Sequence, residues 1–237
     1  MQVLNLRKNL ENNVKVIAIN GSPRKNWNTD LLCQKALEGA ASLGADIELI
    51  HLNDYTFKGC VSCFGCHLKR NINKFTCFYK DELSEVLDKC LEADVIIIGS
   101  PNYYGFVLGT VRSFMERLLF PLDTYYADDN KQRILKRNKV VPCALIYTMN
   151  ARKEQIESRN GLEILKNNEN ALRGIFGYCE SFYSFDTCQF KDYEPYTVNI
   201  FNPIHKQKQW DEQLPKDLQN AYELGKRLVR KVEEKRV

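Results

Sequence analysis

Five short runs dominated by apolar and β-branched residues punctuate the chain, at 14–20, 46–52, 94–99, 139–147 and 178–186. A strand buried on both faces requires a run of this kind, because neither face meets water. Between these runs the apolar positions recur at helical spacing, over 29–43, 81–91, 107–119, 153–176 and 211–235. In the last segment Leu214, Leu218, Tyr222, Gly225, Leu228, Val229 and Val232 draw one stripe, which predicts a helix with one face on the core. Strict alternation of strand and helix predicts a parallel sheet covered on both sides and joined by right-handed crossovers. Five strands favour a three-layer, doubly wound α/β arrangement in the order 2-1-3-4-5. In that order strands 1 and 3 are neighbours at the switch point, and a ligand sits beyond their carboxyl ends.

Composition narrows the class. The 237 residues are 44% hydrophobic, enough for one substantial core, and a single domain over 1–237 is expected. No stretch approaches the roughly 18 consecutive apolar residues of a membrane span, and the polar stretch 1–13 lacks the apolar run of a signal peptide. The expectation is a soluble, cytoplasmic protein. A net charge of +4 with mixed signs argues for neither nucleic acid nor membrane as partner. The basic end near 226–236 is interrupted by Glu233 and Glu234 and reads as a solvated helix face. Nine cysteines, an odd number in a chain without an export signal, read as reduced thiols. Cys33, Cys90, Cys143 and Cys179 fall singly in helical or strand patterns, as small core residues do.

The ends of strands 1 and 3 carry the chemistry. Strand 1 runs into Gly21-Ser22-Pro23-Arg24, followed by Asn28 and Thr29 at the start of a helix. Such a turn aims backbone N–H groups and the positive end of the helix dipole at one point, where an anion binds. Ser22, Asn28 and Thr29 can add hydrogen bonds and Arg24 a charge. An ordinary turn with Thr29 as helix cap accounts for the glycine and proline but leaves Arg24 without a role. The dinucleotide fingerprint and the Walker loop are both absent, which turns the reading from ATP or GTP toward a phosphate monoester. Strand 3 ends in Gly99-Ser100-Pro101-Asn102-Tyr103-Tyr104-Gly105, whose amides, rigid proline and aromatic faces suit a flat heteroaromatic ring. Thr148, Met149 and Asn150, ending strand 4, form the third wall. One phosphate and one flat polar ring together describe FMN.

On these residues the chain resembles the NADPH-dependent FMN reductases of the flavodoxin-like group and their iron–sulfur flavoprotein relatives. Three signatures carry the resemblance: Gly21-Ser22-Pro23-Arg24 with Asn28-Thr29; Gly99-Ser100-Pro101 with Tyr103, Gly105, Gly109 and the helix from Arg112 to Arg117; and the segment from Cys60 to Cys77. The resemblance implies a flavodoxin-like fold. It implies that Ser22, Arg24, Asn28 and Thr29 hold the FMN phosphate, and that Pro101, Asn102, Tyr103, Tyr104 and Gly105 line the isoalloxazine. Glu116 and Arg117 share the family pattern, and an ion pair or helix-end contact is their expected role.

Cys60, Cys63 and Cys66 have the spacing of consecutive ligands to a cubane cluster, and Cys77 follows after ten residues. The loop 58–80 therefore admits a 4Fe–4S cluster, although the relatives' fourth cysteine comes sooner, and this weighs toward a loop without metal. Reduced or redox-sensitive thiols near the flavin are the main alternative, and a Cys3His zinc site with His67 is another. His51 and His205 show no ligand-like spacing.

The expected function is that of an FMN-dependent oxidoreductase. A nicotinamide, from NADPH or NADH as co-substrate, stacks over the ring and passes hydride to flavin N5; electrons then go to a flavin, quinone or other small acceptor, with no protein group as catalyst. The alternative is a flavodoxin-like or iron–sulfur electron carrier, and a redox sensor ranks third. The extra loops at 120–138 and 187–210, rich in aromatics, are expected to be lids or subunit contacts, or covers for their own chain; the resemblance to the flavin reductases implies a homodimer or homotetramer.

Overall fold

The computed structural model describes residues 13–127, 129, 135 and 139–234. The expectations for 1–12 and for most of 128–138 lie outside them. Strands β1 (Lys15–Asn20), β2 (Asp46–His51), β3 (Val95–Tyr103), β5 (Val141–Thr148) and β6 (Gly177–Ser184) form one parallel sheet in the order β2-β1-β3-β5-β6. A two-residue strand β4 (Phe106–Val107) turns back antiparallel on β3. Without that hairpin the order is the expected 2-1-3-4-5, so the fold is flavodoxin-like. Strand β3 runs four residues beyond the apolar stretch that announces it, because the polar turn Ser100 to Tyr103 stays paired with β5 and β4.

Helices cover both faces. On one lie α1 (Asn28–Ala41) and α7 (Leu214–Glu233), closing a core around Ala18, Leu32, Ile97, Ile146 and Leu228. On the other lie α2 (Leu83–Glu92), α3 (Gly109–Leu119) and α5 (Gly161–Phe176), over Ile19, Ile96, Phe114, Leu145 and Leu172. The backbones of α1 and α7 touch: a Cβ at Gly225 would lie 1.8 Å from the Ala36 carbonyl oxygen, and one at Gly39 1.9 Å from that of Tyr222. The helical pattern over 153–176 is two helices, α4 (Lys153–Glu157) and α5, because Asn160 takes a left-handed conformation with φ 52°. The stretch 187–210 is partly helical: α6 (Pro203–Lys208) and a π-helical turn, Gln209–Gln213, lead into α7. No helix among the described residues is long and apolar enough to cross a membrane.

Candidate functional site

The carboxyl ends of β1 and β3 are pressed together. Gly21 N donates to the Gly99 carbonyl at 2.8 Å. A Cβ at Gly21 would lie 2.0 Å from Val111 Cγ2, and one at Gly99 would lie 2.4 Å from Cys33 Sγ and 2.9 Å from Thr29 Cγ2. Only glycine admits this approach, which sets the two turns side by side. Burial pushes the Cys33 thiol far up, with the Asp30 charge adding to it. It serves as packing.

Beneath the first turn lies a buried polar network with no motif to announce it. Asn20 accepts from Ser22 N at 3.0 Å through Oδ1 and donates to Asp30 through Nδ2 at 3.1 Å; Asp30 also accepts from Asn26 N at 2.6 Å and from Gln34 Nε2 at 3.1 Å. His51, which shows no ligand-like spacing in the sequence, is within 3.1 Å of Asn20 Nδ2 and 3.7 Å of Asp30. Helix α1 begins one residue before Thr29, so Thr29 is not its cap. The cap position is Trp27, which supplies no side-chain hydrogen bond, so no cap residue claims the first-turn amides.

A crevice of 580 Å³ opens over these turns. Ser22, Arg24, Asn28, Thr29, Pro101, Asn102, Tyr103, Tyr104, Thr148, Met149 and Asn150 all line it. Of the residues expected to bind FMN, Gly105 alone does not; it sits at the hairpin apex with φ 90°, beside Tyr104 with φ 55°. Thr29 Oγ1 and Thr148 Oγ1 meet at 2.7 Å and join the first turn to the end of β5. Ser100 Oγ shapes the second turn, accepting from Leu108 N at 2.9 Å and donating to the Pro101 carbonyl at 2.8 Å.

The stretch 187–201 crosses the crevice as a strap. Its Cys188 carbonyl accepts from Asn28 Nδ2 at 2.7 Å and Trp27 Nε1 at 3.2 Å, and its Gln189 carbonyl accepts from Arg24 Nη1 at 2.6 Å. Gln189 Oε1 accepts from Asn150 Nδ2 at 3.1 Å. Arg24 also stacks on Trp27, 4.5 Å from the ring centroid. The lining thus includes Trp27, Gln155, Ile156, Arg159, Cys188, Gln189, Ile200 and Phe201, which no motif announced. The strap is anchored at Asp186, which accepts from the buried Lys206 at 2.5 Å and pairs with His205 at 2.6 Å. Lys206 also donates to the Asn150 carbonyl at 2.9 Å. His205 therefore has a carboxylate partner, whereas the nearest partner of the His51 ring is the Asn20 amide.

The crevice fits a phosphorylated flat ring on three observations. Its volume lies in the range of small-molecule sites. The start of α1 carries no side-chain cap. Asn102 Oδ1 and Asn150 Oδ1 are buried without hydrogen-bond partners, as acceptors awaiting ring-edge N–H groups are.

Cys60, Cys63, Cys66 and Cys77 line one recess under α3, the first two exposed and the last two buried. Among the described residues no three His, Cys, Asp or Glu side chains are gathered closely enough to hold a metal, so as folded this donor set fits neither a cluster nor zinc. Arg117, fully buried, closes the neck of the loop, donating to the Lys58 carbonyl at 3.0 Å, Asp81 Oδ2 at 2.6 Å and the Tyr79 carbonyl at 2.7 Å. Glu116 pairs instead with Arg112 at 3.1 Å. Burial would raise the Asp81 carboxyl, but the Arg117 hydrogen bond and charge outweigh it and hold it below its ordinary value.

A doubly wound α/β protein with a mononucleotide-sized crevice at its switch point is the class that fold and site define. The chain belongs to the NADPH-dependent FMN reductase family, whose model matches residues 14–158. It is 42% identical over 104 residues to an iron–sulfur flavoprotein of Archaeoglobus fulgidus, covering 44% of this chain and 48% of that one. It is 40% identical over 104 residues to an iron–sulfur flavoprotein of Methanocaldococcus jannaschii, covering 44% and 51%. The chain thus spans about half the length of these curated relatives. An NAD(P)H:quinone oxidoreductase from Methanothermobacter marburgensis shares the fold, with a TM-score of 0.65 at 13% identity over 92% of this chain and 98% of that one.

Proposed function

We propose that this chain is an FMN-dependent oxidoreductase that takes a hydride from NADPH or NADH and delivers the electrons to a flavin, a quinone or another small acceptor. The observation that carries the reading is one crevice lined by both turns and the end of β5. Bound there, FMN would supply the hydride and electron chemistry itself. The chain's residues bind and orient. Ser22, Arg24, Asn28, Thr29 and the first-turn amides of α1 would hold the phosphate, and family membership supports that role. Asn102 and Asn150 would receive ring-edge donors, and Tyr103 and Tyr104 would flank the ring. The strap crosses the phosphate end through its bonds to Arg24, Trp27 and Asn28. Dimerisation or tetramerisation belongs to the same proposal, with the exposed Tyr103, Tyr104 and Phe106 as the surface a second subunit would cover.

The test is oxidation of NADPH or NADH by purified, FMN-loaded protein with no other reductase present. Reduction occurring only with a partner reductase supports the second reading, an electron carrier. Two observations favour that reading: the four cysteines face one recess, and the relatives described above are named iron–sulfur flavoproteins. A 4Fe–4S cluster there requires the loop to contract around it. Stoichiometric iron and sulfide in anaerobically purified protein is the result that would establish it.

A further inference from the structure

The cations around the crevice are not equivalent. Arg24 is held by the Gln189 carbonyl and by Trp27. Lys206, His205 and Arg152 share the Asp186 carboxylate, the last at 3.6 Å. Arg159 lines the crevice, yet among the described residues its side chain has no hydrogen-bond or ion-pair partner. Its backbone is firmly set. Arg159 N donates to the Ile156 carbonyl at 3.2 Å, and Asn160 turns the chain at φ 52°. Gly161 packs so closely that a Cβ there would lie 2.8 Å from Ile156 Cγ2. The turn between α4 and α5 therefore carries, on a tight backbone, an exposed arginine of the crevice lining that has no ion-pair partner among the described residues.

The crevice lining that Arg159 shares is mixed, with apolar side chains standing beside Asn102, Asn150, Gln155 and Gln189. Ile156, Phe201 and the 81%-exposed Ile200 line the crevice together with the fully exposed Tyr104. A flat aromatic molecule is what such a surface accepts, and a guanidinium at its edge selects one that carries an anionic group.

We propose that Arg159 is a specificity-determining residue, and that the second substrate of this crevice is a flat aromatic molecule whose anionic substituent, a phosphate, carboxylate or sulfonate, is received by the Arg159 guanidinium. The proposal rests on the reading of the crevice as an FMN site. Two sources can supply the anion: the 2′-phosphate of NADPH, or an acid group on the acceptor. With a quinone acceptor the balance is NAD(P)H plus a proton plus quinone giving NAD(P)⁺ plus hydroquinone, with two electrons moved and no other oxidant or reductant needed.

Binding is measured first, without turnover. FMN-loaded protein is titrated with naphthalene-2-sulfonate and with neutral 2-naphthol, read by perturbation of the flavin absorbance. The sulfonate should bind about tenfold more tightly, the effect of one charge-assisted contact at an exposed edge. Arg159→Gln should abolish that preference, and Arg159→Lys should restore part of it. Equal affinities in the wild type, or a preference that survives Arg159→Gln, overturn the proposal. Turnover then identifies the source: a fall in the NADPH-over-NADH ratio of kcat/KM in Arg159→Gln assigns the 2′-phosphate. A fall in the ratio for 1,4-naphthoquinone-2-sulfonate over 1,4-naphthoquinone assigns the acceptor. A charge preference in the titration with no oxidation of either nucleotide would refute the enzyme reading and leave the anion selectivity of Arg159 standing. Turnover with no preference in the titration would do the reverse.

Discussion

Thr29 and Thr148 come from the first helix turn and the end of β5, 119 positions apart, and meet through their hydroxyls at 2.7 Å. Both are nearly fully buried, at 2% and 5% exposure. Thr29→Val keeps the shape of the side chain but strands the Thr148 hydroxyl, and a buried hydroxyl without a partner costs about 1–3 kcal/mol. Thr148→Val has the mirror effect. The double variant removes both partners, and replacing both with apolar groups of the same shape is close to neutral. A double-mutant cycle by urea unfolding of the cofactor-free protein should therefore return a coupling free energy of about 1–2 kcal/mol, with the double variant more stable than either single one. Stabilities that simply add would show that the two hydroxyls do not depend on one another and would refute the reasoning. The same variants report on the site. In FMN titrations Thr29→Val should weaken binding about tenfold, which corresponds to one lost hydrogen bond of about 1.4 kcal/mol.

Arg24→Gln should lower FMN affinity by about ten- to a hundredfold while leaving riboflavin affinity unaltered, since a phosphate contact worth about 1.5–3 kcal/mol is absent for the nucleoside; equal losses for both ligands in fluorescence titrations would remove Arg24 from the phosphate. Gly21→Ala forces a methyl against Val111 and the Gly99 carbonyl and should cost about 1–3 kcal/mol of stability as overpacking, a shift that calorimetry reads directly. Arg117→Gln should destabilise by about 3–5 kcal/mol, because it strands a carboxylate at the loop neck, and a thiol-reactive dye should then label Cys66 and Cys77, both buried in the wild type. The Asp186 carboxyl is also held below its ordinary value: burial opposes this, and hydrogen bonds from Lys206 and His205 outweigh it. Because the folded-state values of Asp81 and Asp186 are lowered, their stabilisation is present above the unfolded value of about 3.9 and is lost as pH falls through the folded values. The urea midpoint should hold near neutral pH and decline below about pH 4, and the decline should be shallower in Asp186→Asn; an unchanged acid limb would refute the role given to that carboxylate.

Much of the fold was legible along the chain. Ile96, Ile97 and Ile98, or Ala144, Leu145 and Ile146, are apolar without interruption because helices cover both faces of their strands. A period of that kind survives whatever the rest of the chain does. The break at Asn160 leaves no mark on the periodicity because α4 carries a single apolar residue, Ile156, too few to set a phase of its own, while the left-handed turn depends on one residue's backbone angle. The residues on the turns after β1 and β3 were equally legible. Short-range geometry there needs glycine, proline and small polar residues in a fixed order.

The strap is the opposite case. Its contacts with Arg24, Trp27 and Asn28 span about 160 positions and run through the carbonyls of Cys188 and Gln189, groups that every residue possesses and that leave no mark on the sequence. The pairing of Asp186 with Lys206 and the open charge of Arg159 are likewise products of where the chain returns after β5 and β6. The amino-acid order by itself determined the layers, the strand sequence and the two turns at the switch point, because each follows from local periodicity or local backbone demands. Only the tertiary structure decided which loop closes over those turns and which crevice-lining arginine, among the described residues, is left without a partner, because those outcomes depend on contacts between segments far apart in the chain.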